Sequence, residues 1–228
     1  GVTNPLEEIA RVVRETDRLL LVDAVSSLGA VPLDTDGWGL DAVVTGSQKG
    51  WMVPPGLAFV CLSERAWKAN ESARMPRFYF DAAKHRDLLH KGQTPWTPTI
   101  SVFFGLDVAL ERMAVEGLES IHARHAAIAR IVRERVKALG LELLAADERY
   151  ASNTVTAIKC PEGVEVKALR TMLEDEHGVV VAGGQGKLAG KIFRIGHLGL
   201  VSEDDIRHAL DALSEALPRV GFNIPVGR

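Results

Sequence analysis

The sequence predicts an α/β protein, a mainly parallel sheet with helices, followed by a small α+β carboxy-terminal domain. Three observations carry that expectation. Residues 19–22 are a short continuous apolar run, the pattern of a strand covered on both faces, and residues 41–45 give a second strand. The segments between them are long and punctuated by Gly and Pro, as crossovers are. From residue 141 onward, short strand patterns alternate with helical ones, a different order of elements.

The elements follow in chain order. Asn4-Pro5 suits a helix start, cap then first-turn proline, and Ile9, Val12 and Val13 supply one apolar face up to Asp17. Strands are predicted at 19–22, 41–45 and, after Pro54-Pro55-Gly56, at 57–62. Helices are predicted over 101–115 and 118–139, divided near Glu116-Gly117. In the second of these, Ile121, His125, Ile128, Val132, Val136 and Leu139 recur at helical spacing, so His125 reads as a packed histidine. Strands then follow at 141–144, 154–158, 179–182 and 191–195, with helices at 166–176 and 202–217. Ser202-Glu203-Asp204-Asp205 supplies a cap and acids to the positive end of the last helix. These elements divide the chain into domains at 1–116 and 117–228.

Bulk properties narrow the function. The chain has 228 residues, 46% apolar and 25% charged, with net charge −3 and mixed signs along its length. That balance speaks against a nucleic-acid surface. No apolar run approaches the roughly 20 residues of a membrane span, and the first residues lack the pattern of a signal peptide. Cys61 and Cys160 lie in apolar runs without a CxxC partner and read as buried, reduced thiols, so a cytoplasmic location is expected.

The chemistry concentrates in Val43-Val44-Thr45-Gly46-Ser47-Gln48-Lys49-Gly50, where one lysine sits in a small-residue turn directly after an apolar run. Asp23 closes the run Leu19-Leu20-Leu21-Val22. An amine and a carboxylate at strand ends are what pyridoxal phosphate (PLP) requires. The amine forms a Schiff base with the aldehyde, and the carboxylate holds the proton on the pyridine nitrogen. Taken singly, such a lysine is a solvated turn residue and such an aspartate a strand-terminal cap. Together, at strand ends that converge on one crevice, they define a site. Gly46 and Gly50 clear space for a flat ring, Gln48 offers an amide to a phosphate, and Val25 is placed to cover the ring. Val43, Val44 and the Pro54-Pro55 turn are expected to exclude water from Lys49.

Further blocks extend the pattern: Val22-Asp23-Ala24-Val25-Ser26-Ser27-Leu28-Gly29, Lys91-Gly92-Gln93-Thr94-Pro95-Trp96-Thr97-Pro98, Ser152-Asn153-Thr154-Val155-Thr156-Ala157, Ala182-Gly183-Gly184-Gln185-Gly186 and Phe193-Arg194-Ile195-Gly196-His197-Leu198-Gly199. With the Lys49 turn they resemble the class V aminotransferases of PLP fold type I, nearest to the alanine–glyoxylate, serine–glyoxylate and serine–pyruvate branch. The resemblance implies a partial fold type I large domain and assigns roles. Lys49 forms the Schiff base and shuttles the substrate proton. Asp23 binds the pyridine nitrogen, Val25 covers the ring and Gln48 helps hold the phosphate. Arg194 takes the substrate α-carboxylate, a role its bidentate guanidinium also suits on physical grounds. Thr94 reaches the phosphate of the neighbouring subunit's cofactor, which implies a homodimer. The implied substrates are a small amino acid, serine or alanine, and a 2-oxo acid such as glyoxylate or pyruvate. His197 fits the motif without an assigned role.

Family members extend further at the amino end, so the sequence reads as the carboxy-terminal portion of such a protein. Two alternatives stand beside this reading. In cysteine desulfurases and lyases a histidine typically precedes the Schiff-base lysine, where this chain has Gln48. A non-catalytic fragment would keep only the fold. The run Gly184-Gln185-Gly186-Lys187-Leu188-Ala189 fits a dinucleotide fingerprint, but a strand pattern follows it where a helix is needed. No His/Cys cluster has metal-ligand spacing.

Overall fold

A computed structural model describes residues 1–225. Contacts divide the chain into two units, one of residues 6–25 and 33–112, the other of residues 1–5, 26–32 and 113 onward.

The first unit holds α1 (Leu6–Arg14), β1 (Leu21–Asp23), β2 (Ala42–Gly46), β3 (Ala58–Leu62), α2 (Glu64–Ser72), α3 (Ala82–Leu89) and most of α4 (Ile100–Glu116). Its sheet has the order β1-β2-β3. β1 and β2 run parallel, Leu21 beside Ala42 and Asp23 beside Val44, whereas β3 returns antiparallel to β2. The expected mainly parallel sheet is therefore a mixed one. The reason lies in the connection: a parallel return needs a crossover, and no helix intervenes between Gly46 and Ala58.

Asp41 sets the foot of the parallel pair. It is 2% exposed; one carboxylate oxygen accepts the Leu20 N–H at 2.9 Å and the other the Ser63 hydroxyl at 2.8 Å. Ser63 in turn caps α2 by accepting the Ala66 N–H at 3.1 Å. One buried side chain thus ties β1, β2 and the start of α2 together. Val53, Val102, Leu106 and Ala109 form a small core beside Trp51, Met52, Leu57 and Phe59.

The second unit contains α5 (Leu118–Ala138), β4 (Val155–Lys159), α6 (Val166–His177), β5 (Ala182–Gly183), β6 (Ile192–Gly196) and α7 (Glu203–Arg219). Its sheet, in the order β4-β6-β5, is antiparallel throughout. Ile158, Phe193 and Ile195 line one face and pack with Val132 and Val136 of α5, Leu169 and Leu173 of α6, and Leu210, Leu213 and Leu217 of α7. The acidic start of the last helix forms a capping box: Ser202 accepts the Asp205 N–H, and the Asp205 carboxylate accepts the Ser202 N–H.

Element boundaries shift where burial overrides propensity. Residues 141–144 make one bridge, Leu143 to Ile158, instead of a strand. Val179 and Val181 are packed in the core, so the strand expected there shortens to Ala182–Gly183. Helices α2 and α3 carry no apolar stripe, and none of their residues is buried.

Leu213 is 1% exposed and Leu118 is 57% exposed. Leu213→Ala should therefore cost about 2–5 kcal/mol of stability in urea unfolding, and Leu118→Ala well under 1 kcal/mol.

Candidate functional site

In the first unit, the parallel register continues one residue past β1, where the Ala24 N–H donates to the Val44 carbonyl at 2.9 Å. Asp23 closes β1, and Lys49 follows Gly46, the last residue of β2. The two residues therefore stand at the same carboxyl edge of adjacent parallel strands. The Asp23 carboxylate is exposed, and its Oδ1 accepts the Val25 N–H at 3.0 Å. That bond orients the acid and holds the half-buried Val25 beside it.

Lys49 is half-buried and takes part in no ion pair among the described residues. Its turn is pinned by Ser47, which is fully buried. The Ser47 hydroxyl donates to the Pro54 carbonyl at 2.7 Å and accepts the Leu57 N–H at 3.2 Å, while its own N–H donates to the Leu57 carbonyl. The Met52 N–H donates to the Lys49 carbonyl at 3.0 Å, and Met52 adopts φ 63°, a left-handed conformation unusual for a side chain of its kind. The Trp51 indole N–H adds a bond to Thr45 Oγ1 at 3.3 Å. The lysine is thus carried on a loop fastened at both ends.

Gln48 is exposed and lies back over Gly46, where a methyl group would stand 2.9 Å from its Oε1. Thr94 is exposed in the segment between α3 and α4, with its hydroxyl donating to the Trp96 carbonyl at 2.7 Å. The water-excluding wall expected around Lys49 is only partly present. Val43 is buried, but Val44 is 37% exposed and Pro54 and Pro55 are exposed. Side chains alternate across a strand, so Val43 enters the core and Val44 faces the open side of the sheet.

In the second unit, Arg194 occupies the middle strand β6, with Ala157 and Ala182 as its cross-strand neighbours. Gly1 lies against the first of them, where a Cβ at Gly1 would stand 2.6 Å from the Ala157 Cβ, and the Gly1 ammonium pKa is lowered by burial and then by the Arg194 charge. The Arg194 Nε–H donates to the Gly183 carbonyl at 2.9 Å, and no carboxylate pairs with the guanidinium among the described residues.

Two buried histidines follow from the same motif region. His125 is 1% exposed; its Nε2 accepts the Gly199 N–H at 3.0 Å, so its Nδ1–H donates to the Ile121 carbonyl at 2.7 Å. Arg124 donates to the Gly199 carbonyl at 2.8 Å and grips Glu116 with two bonds, which hold that carboxyl below its usual range. Gly199 is therefore held from both sides of its peptide by α5. His197 is fully buried between Thr156 Oγ1 at 2.8 Å and the Asn153 carbonyl at 3.2 Å. Burial pushes its pKa down to about 4. It serves as a neutral tie between β6 and the strand beside it.

Asp41 and Ser47 are the residues that sequence reasoning passed over. The available signal was a polar residue at each end of an otherwise apolar strand, where a buried hydrogen bond is required. Another expectation is corrected: Cys61 is exposed on β3, and Cys160 is only half-buried, its thiol pushed up by burial. Cys61 belongs to a strand whose one neighbour is β2, and nothing in the sequence pattern distinguishes such a strand from an enclosed one.

Among the described residues, no helix is long and apolar enough to cross a membrane, and no group of three or more His, Cys, Asp or Glu is arranged to hold a metal.

The model of the class V aminotransferases matches residues 1–195, and the chain belongs to that family. A soluble hydrogenase small subunit from Synechococcus sp. is 48% identical over 97% of this chain and 58% of its own length. A serine–glyoxylate aminotransferase from Methylorubrum extorquens is 35% identical over 100% of this chain and 58% of its own length. The solved pyridoxamine–pyruvate aminotransferase of Mesorhizobium loti superposes with a TM-score of 0.92 at 38% identity, covering 98% of this chain and 58% of that one. The chain thus spans 58% of the length of these relatives.

A histidine whose folded pKa is depressed binds its proton more tightly in the unfolded chain. Its contribution is whole above 6.5 and is lost as pH falls toward about 4. Urea unfolding should therefore show stability falling over that window by up to about 3 kcal/mol from His197, with His125 acting in the same direction. His197→Asn should reduce the slope; an unchanged slope would exclude this account.

Proposed function

We propose that the protein is a PLP-dependent aminotransferase that moves an amino group from a small amino acid, of serine or alanine type, to a 2-oxo acid such as glyoxylate or pyruvate. The observation that carries this reading is the shared carboxyl edge of β1 and β2, with a carboxylate at one strand end and an amine on the loop after the other. The donor set fits the cofactor. Asp23 commits one oxygen to Val25 and keeps a second for a ring N–H, and Lys49 carries no competing ion pair among the described residues.

When bound, PLP supplies an aldehyde for the amine and a ring that withdraws electrons from the substrate. The chain's own residues supply the rest. Asp23 keeps the ring nitrogen protonated, Val25 packs on the ring, and Gln48 donates an amide N–H to the phosphate. The Lys49 Nζ takes and returns the substrate proton. Arg194 binds the substrate carboxylate with its guanidinium, a role supported by the lack of an ion-pair partner among the described residues. Thr94 reaches the phosphate held by a second copy in a homodimer, its hydroxyl turning from the Trp96 carbonyl to donate there.

The names of the relatives agree with this chemistry where they state a reaction, since serine–glyoxylate and pyridoxamine–pyruvate transfers both move nitrogen to a 2-oxo acid. A desulfurase needs a mobile cysteine. Cys61 is exposed, but it is fixed within β3 opposite Val43, which weighs against that alternative.

Mixing the chain with PLP should produce an absorbance band in the visible region that is lost in Lys49→Ala; identical spectra for the two proteins would favour the non-catalytic alternative. Arg194→Lys should keep the band and weaken small-carboxylate binding at least tenfold, because a point charge replaces a fork.

A further inference from the structure

We infer that Arg170 is a positioning residue for Arg194, holding in place the short strand whose carbonyl aims the Arg194 guanidinium. The inference rests on the reading of Arg194 as the carboxylate-binding group. Among the described residues, the Arg194 side chain makes one hydrogen bond, its Nε–H to the Gly183 carbonyl at 2.9 Å. That carbonyl belongs to β5, which is two residues long, lies at the edge of the sheet and pairs with β6 alone. A strand so short has little intrinsic hold on its own position.

Arg170 supplies the hold from the other side. It sits on α6 between the buried Leu169 and the core-packed Met172, and its Nε–H donates to the Val181 carbonyl at 2.7 Å, two residues before Gly183. Its Nη1 would lie 3.3 Å from a Cβ at Gly183, so the guanidinium lies close against the glycine backbone. Gly183 pairs with Phe193 and Ala182 with Arg194, and side chains alternate across a strand. Arg170 therefore meets β5 on the helix face of the sheet, and Arg194 crosses the opposite face. Beyond Gly183 the chain turns sharply. The Gly184 N–H donates to the Ile192 carbonyl at 3.0 Å, and any Cβ there would stand 2.0 Å from the Leu188 carbonyl. Among the described residues no carboxylate pairs with Arg170. Its Nε–H is given to backbone, the use expected of a side chain that sets a strand's position.

The test is a titration of ¹⁵N-labelled chain with pyruvate, following the arginine Nε–H signals and the amides of Ala182, Gly183 and Arg194. In the unsubstituted protein pyruvate should shift all of these. Arg170→Ala should weaken pyruvate binding about tenfold and move the Arg194 Nε–H signal before any ligand is added, while the amides of β4 and α7 stay in place. Arg170→Lys, which keeps the charge and can still reach a carbonyl, should restore part of the affinity; it is read in the same way should the alanine variant fail to fold. Adding Arg170→Ala to Arg194→Lys should weaken binding no further than Arg194→Lys alone, because the first residue acts through the second. An Arg170→Ala protein with unchanged affinity and an unmoved Arg194 signal would overturn this inference and leave the carboxylate role intact. No pyruvate response at Arg194 in the unsubstituted protein would overturn both.

Discussion

The parallel ladder between β1 and β2 is the constraint on which the first unit depends. Three residue pairs set its register, backbone bonds extend it from Ala24 to Val44 and from Asp41 and Ala42 to the Leu20 carbonyl, and the Asp41 side chain fixes its foot by bonding the chain on both sides. A slip of one residue would turn Asp23 to the opposite face and move it away from the open side of the sheet. Asp23 and Lys49 share an edge because the two strands run in the same direction. Had β2 followed β1 as a hairpin, the end of one strand would lie beside the start of the other. The buried carboxylate of Asp41 is satisfied at both oxygens, which is the condition for keeping such a group in a core.

The second unit solves a different problem, how to hold an arginine on a sheet without pairing its charge. Alanines flank Arg194 on the neighbouring strands, and a backbone carbonyl rather than an acid receives its Nε–H. Charged groups that do pair lie elsewhere, among them Arg124 with Glu116 and Lys137 with Glu148. The buried histidines act as neutral struts. His125 reaches the backbone of Gly199 from α5, and His197 joins β6 to Thr156. The Phe193-to-Gly199 motif is thus anchored by neutral histidines and, at Gly199, by the guanidinium of Arg124.

Much of this was legible in the residues. Residues 19–22 announced themselves as an apolar run, residues 42–44 as the apolar centre of a second strand, and the lysine turn by its small neighbours. The periodicity of residues 118–139 placed His125 in the core, where it lies. Other features were hidden for physical reasons. The direction of β3 depends on whether a helix crosses over between Gly46 and Ala58, and apolar pattern alone does not encode direction. Helices α2 and α3 bury no residue and so leave no stripe to read. The exposure of Val44, Val60 and Cys61 depends on what covers the sheet, a property of other segments rather than of the strands themselves. Asp41 and Ser47 were missed because their work is done through partners distant in sequence, Leu20 and Ser63 for Asp41, Pro54 and Leu57 for Ser47.

The central claim is that the Lys49 amine and the Asp23 carboxylate address opposite ends of one pyridine ring. The most direct measurement is the ¹⁵N chemical shift of the ring nitrogen in PLP bound to this chain, compared with the Asp23→Asn variant. The account predicts a protonated nitrogen in the first and a neutral one in the second, with the cofactor attached to Lys49 in both. The same shift in the two proteins would show that Asp23 does not face the ring and would contradict the site proposed for this fold.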